Sequence, residues 1–241
     1  HRNRYHPALP VVKKIIEKGG IGKVVALRGR GKEDHRGGGE DLWVLGTHVF
    51  DLVDAIAGNP STCSAELRIH GRLVEGKDVK PGNEGLGPLA GDEVHARWKM
   101  ENGWNTTFDS VRDHGSKSAS FGLQIIGNEG MIDLRCDREP LAHIHEGCPW
   151  LPTANSIHWV PISSNGINQP ETELIRKTVH NHQSALLDLT ESVQNSHSPK
   201  CGLKEGMATV RFVQSVFASH LANGKSIGFP LQMRKHPLSA L

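Results

Sequence analysis

Residues 37–51 read GGGEDLWVLGTHVFD. A flexible glycine run leads into an apolar pattern with helical spacing, and that pattern carries one histidine, His48. Followed to Ile56, it predicts a helix over residues 41–56, stopped by Gly58-Asn59-Pro60. An apolar helix seldom buries an imidazole without a hydrogen-bond partner, and histidine is the side chain best suited to moving protons near neutral pH. His48 therefore reads either as a catalytic acid–base in a cleft or as a core residue bonded to backbone. Residues three and four apart share a helix face. Asp51 is thus placed to orient the His48 ring, Asp41 lies further along the same face, and Val44 occupies the i−4 position where a carboxylate would serve best. Just upstream, Asp34, His35 and Arg36 form a charged loop that reads as reaching a hydroxylated substrate, with a solvated loop as the plainer alternative.

Outward from this stretch, residues 7–18 predict a helix ended by Gly19-Gly20, and Val24 to Lys32 alternates as a strand. The middle of the chain is a succession of short strands: 63–71, 94–100, 104–112, 121–126, 131–135 and 141–146. Asn102-Gly103 and Asn128 to Gly130 supply hairpin turns. Residues 77–92 are rich in Gly and Pro and predict a loop. Two helices close the chain, over 182–194 with Leu186, Leu187, Leu189 and Val193 as a stripe, and over 203–223. Helix, many antiparallel strands, then helices make an α+β fold, a mostly antiparallel open sheet with helices packed on one face. Strands outnumber helices, so the other face is expected to lie open. Trp98, Trp104, Phe108 and Phe121 are expected to give that face apolar area for a homo-oligomer contact.

Formal net charge is +2 over 241 residues, which points to neither nucleic acid nor an anionic membrane. No apolar run approaches the ~20 residues that span a bilayer, and no signal peptide is visible, so a cytoplasmic protein is expected. The four cysteines, Cys63, Cys136, Cys148 and Cys201, are scattered without a C-x-x-C spacing, which disfavours a zinc ribbon or redox motif. His143 and His145 share a strand face, yet no close carboxylate pattern joins them, and no metal site is expected.

Three stretches resemble the C-terminal part of the Gfo/Idh/MocA oxidoreductases, the family of glucose–fructose oxidoreductase and inositol dehydrogenase. The first is HRNRYHPALPVVKKIIEKGGIGKVVALRGRG at residues 1–31, similar to the segment by which that family leaves its nucleotide-binding domain. The second is GGG…LGTHVFDLVDAIAG at 37–58, with the family's G-x-H core, and the third is SPKCGLKEGMATVRFVQSVFASHLANGKSIGFPL at 198–231. The resemblance implies that residues 1–22 are a remnant of the nucleotide-binding domain with its junction helix. Residues 23–241 would then be a substrate-binding and oligomerisation domain. It further implies that His48 is catalytic, that Arg2 and Arg4 lie near the nicotinamide of NAD or NADP, and that the substrate is a sugar or polyol. The family's glycine fingerprint after a strand and its E-K-P lysine are absent here. The chain by itself is therefore expected to bind the dinucleotide poorly and to be inactive. Val44 also stands where the family usually has aspartate. A non-catalytic carbohydrate-binding or assembly domain is the alternative.

Overall fold

The computed structural model describes residues 1–115, 120–148, 150, 158–179, 181–232 and 235–240. Helix α1 (Ala8–Glu17) leads into strand β1 (Val24–Arg30), then helices α2 (Gly39–Val44) and α3 (Gly46–Ala57). Strands β2 (Pro60–Ile69), β3 (Arg72–Leu73), β4 (Lys80–Pro81), β5 (Pro88–Leu89), β6 (Glu93–Met100) and β7 (Asn105–Val111) follow. Next come β8 (Gly122–Gly127), β9 (Gly130–Arg135), β10 (Ala142–Glu146), β11 (Val160–Ser163) and β12 (Gly166–Ile167). Helices α4 (Glu173–Thr178), α5 (Gln183–Gln194) and α6 (Leu203–Leu221) and strand β13 (Ile227–Gly228) complete the order. The main sheet runs β12-β11-β10-β9-β8-β1-β7-β6-β2-β13. Its pairings are antiparallel except at the centre, where β1 and β7 run parallel. The α+β expectation holds, and α3 and α6 cover one face of the sheet.

Alternation along the strands sets that face. In β6, Val94, Ala96, Trp98 and Met100 turn inward while His95, Arg97 and Lys99 turn out. The inward rows meet α3 and α6 in an aromatic cluster. Phe50 lies 5.2 Å from Trp98, 5.1 Å from Phe108 and 5.2 Å from Phe212, stacked on the last at 4°. Trp98 satisfies its indole N–H by donating to Ser215 Oγ at 2.9 Å. This corrects the expected apolar open face. Trp98 and Phe108 are fully buried beneath the helices and Phe121 nearly so, while Trp104 is half-buried against the same core. The uncovered face carries charged and polar rows instead.

Residues 1–22 belong to the same core, with Leu9, Val12 and Ile21 buried in it. The glycine run is not a flexible lead-in. Gly37, Gly38 and Gly39 are buried, and a Cβ on Gly37 would fall 2.2 Å from the Arg112 backbone. On Gly39 it would fall 2.2 Å from the Ala90 carbonyl oxygen. The glycines let two backbone segments pack in contact, which no other residue permits. The loop expected at 77–92 contains the β4–β5 hairpin. The stripe on α5 is helical but lies on the surface, with Leu186, Leu187, Leu189 and Val193 all exposed. Among the described residues no helix is long and apolar enough to cross a membrane.

Candidate functional site around His48

The expected helix over 41–56 is two helices. Leu45 joins α2 to α3, and Gly46 begins the second. His48 thus occupies the third position of α3 rather than mid-helix, and Val44 lies on the other side of the break. The i−4 argument, which assumed one continuous helix, does not transfer to this geometry.

The His48 ring is held edge-on between two rings. Its centroid lies 5.0 Å from that of His1 and 6.2 Å from that of Phe121, which leads into β8. Its Nδ1 is buried and has no hydrogen-bond partner among the described residues. A buried orphan ring nitrogen is uncommon in a core histidine. Burial pushes the His48 pKa down to about 4, and the charge of Arg2 acts in the same direction. The imidazole is therefore neutral at neutral pH and able to accept a proton.

Asp51, one turn further along, does not orient this ring. Its Oδ1 accepts from Arg4 Nε at 2.8 Å, and the side chain is fully buried. Arg4 Nη2 also donates to the Asp51 carbonyl at 2.9 Å and to Asp54 Oδ2 at 2.7 Å. The guanidinium expected near a cofactor is thus spent on fixing α3 to the N-terminal turn. Arg2 is half-buried, and its charge is felt at His48.

Asp41 is likewise structural. Its Oδ2 accepts from Ser110 Oγ at 2.6 Å and from the Glu33 N–H at 3.1 Å, tying the 31–39 loop to β7. Burial raises its pKa, partly opposed by those hydrogen bonds. In the same loop Arg36 clamps Asp34 through Nε at 3.1 Å and Nη2 at 2.7 Å, which lowers the Asp34 carboxyl to about 2. His35 is exposed. The loop leaves the end of β1 nearest Phe121, since Arg30 pairs with Gly122. The structure thus brings Arg2 and His48 together, leaves Asp34, His35 and Arg36 on a braced loop, and assigns Asp41, Asp51 and Arg4 to the framework. Phe121 and His1 are the ring neighbours that residue spacing missed. On β10, His143 lies against the Arg135 guanidinium, and no group of three metal-ligating side chains occurs among the described residues.

No protein-family model matches the chain, and no curated protein matches it. Solved structures do. A levoglucosan dehydrogenase in complex with NADH and levoglucosan matches with a TM-score of 0.68 at 19% identity, over 95% of this chain and 64% of its own. An oxidoreductase domain protein from Kribbella flavida gives 0.66 at 17%, over 95% and 66%. An oxidoreductase from Agrobacterium radiobacter, in complex with NAD+, L-tartaric acid and magnesium, gives 0.57 at 18%, over 94% and 63%. The chain thus spans about 65% of the length of the structures it matches. The likeness is one of fold, and the neighbours are oxidoreductases of the Gfo/Idh/MocA type that the sequence motifs resemble.

Proposed function

We propose that this chain is the substrate-side domain of an NAD(H)-dependent oxidoreductase acting on a sugar or polyol hydroxyl, with His48 exchanging the hydroxyl proton. The observation that carries the reading is the buried, unpartnered Nδ1 of a ring at a helix start. A nicotinamide, when bound, supplies the hydride acceptor or donor. The chain's own contribution is the proton. A neutral imidazole within hydrogen-bond reach of the hydroxyl takes its proton as hydride departs and returns it in the reverse direction. The cationic Arg2 beside it favours an anionic oxygen as that proton leaves. The Phe121 ring excludes water from one side of the imidazole. Arg4 does not fit a cofactor contact, because both of its anchors are carboxylates of α3.

A homo-oligomer through the uncovered sheet face belongs to the same proposal, with charged rows rather than aromatic area making the contact. Such an assembly weakens with salt.

In the active enzyme, His48→Ala is expected to lower turnover by roughly 10²–10⁴-fold while the melting temperature changes little. Unchanged turnover with stability lowered by ~1–3 kcal/mol would show a structural histidine and favour the non-catalytic carbohydrate-binding or assembly role.

A further inference from the structure

On the uncovered face, strand register places outward side chains in two rows. One row reads His95, Asp109, Arg30, Gly122, Arg135 across β6, β7, β1, β8 and β9. The next reads Arg97, Thr107, Arg28, Gln124, Asp133, His143. Gly122 contributes no side chain between Arg30 and Arg135, and a cavity of about 460 Å³ opens over that gap. That volume falls within the roughly 300–1,000 Å³ usual for small-molecule pockets.

The lining is polar and unevenly satisfied. Arg30 is spent on Glu33 at 2.6 Å. The Arg28 guanidinium is exposed to the cavity and makes no hydrogen bond or ion pair with any described residue. Arg135 Nε is buried without a hydrogen-bond partner, its nearest carboxylate oxygen being Asp133 Oδ2 at 3.9 Å. Asp133 is mostly buried, and desolvation raises its pKa against the pull of Gln124 and Arg135. Donors and acceptors of fixed planar geometry therefore stand side by side with bonding capacity left over. Arg28, Arg30 and Arg135 are balanced by Glu33, Asp109 and Asp133, so the cavity has no excess charge for a dianion. Vicinal hydroxyls, each both donor and acceptor, match such a lining.

We infer that this cavity is a second ligand site, on the sheet face opposite His48, for a polyhydroxylated small molecule of low net charge, held by Arg28, Gln124, Asp133 and Arg135. It stands independently of the role given to His48, which belongs to α3 on the covered side of the sheet and packs against Phe121, and the homo-oligomer proposed through the uncovered face would meet around the cavity.

Calorimetric titration with D-glucitol, and with inorganic phosphate as a second probe, tests it on the wild-type chain and three variants. D-Glucitol is expected to give a saturable isotherm. Arg28→Ala and Asp133→Asn should each weaken it about tenfold or more, the worth of a hydrogen bond to a charged group, and His48→Ala should leave it unchanged. Arg28 is exposed, so its variant folds even where the Asp133 change disturbs β9. Absence of saturable D-glucitol binding would overturn the proposal. So would tighter binding of phosphate, or D-glucitol binding lost in His48→Ala and kept in Arg28→Ala.

Discussion

The two faces of the sheet are built from the same strands and follow opposite physical rules. Beneath α3 and α6, side chains are mostly apolar and interlocked, and among the buried polar groups there Ser110 and Ser215 have partners while Asp41 Oδ1 and Thr106 Oγ1 have none among the described residues. On the uncovered face the side chains alternate in charge, and the guanidinium groups of Arg28 and Arg135 have unspent hydrogen-bonding capacity. One face is fixed by volume and the other by charge. Substitutions should therefore be costly on the first and cheap for folding on the second.

The largest expected effect is at the centre of the covered face. Phe50→Ala removes the ring shared by Trp98, Phe108 and Phe212 and should cost about 3–5 kcal/mol, read from chemical denaturation. A loss below about 1 kcal/mol would show that α3 repacks and that the cluster does not set the fold. Next, Asp41→Ala strands the Ser110 O–H donor and the Glu33 N–H and should cost about 1–3 kcal/mol, with faster amide exchange across residues 31–39.

The third test is pH. The His48 pKa is about 4 in the folded chain, below its ordinary 6.5, because of burial first and then Arg2. The unfolded chain therefore takes up this proton first. Stability from this group is full above about pH 6.5, falls as pH drops toward 4, and then levels off. Discounted for partial exposure, the loss should be on the order of 1 kcal/mol, and His48→Gln should abolish that part of the acid sensitivity. An unchanged pH profile in the variant would place the ring in contact with water. The smallest effect belongs to the open face, where Arg97→Ala removes an exposed contact to Asn105 and should alter stability by less than about 0.5 kcal/mol. A larger loss would mean that the charged rows carry folding energy, and the contrast between faces would fail.

The strands were legible because polarity alternates along them, and in β6 the same alternation held a further lesson. Trp98 shares its parity with Val94, Ala96 and Met100, so its inward direction was written in the strand. Counting aromatics rather than tracking their parity led to the mistaken apolar open face. The break at Leu45 was not legible, because a glycine within a helical pattern does not announce whether the helix pauses. The Arg4–Asp51 pairing joins residues far apart in sequence and could come only from tertiary structure. At the site, His48 stood out by being polar in an apolar pattern. The company it keeps, Phe121 and His1, depended on how a strand end and the N-terminal turn meet α3.

Arg4 has a mechanical consequence. It bolts residues 1–5 to α3 at two carboxylates and a carbonyl, one to two turns past His48, and the His1 ring rests on the His48 ring from the other side. The two segments are geared together at both ends of that turn. A displacement of residues 1–5 by even a fraction of a rotation would carry the imidazole with it, so the aim of the His48 ring is set by the leverage of a short strut.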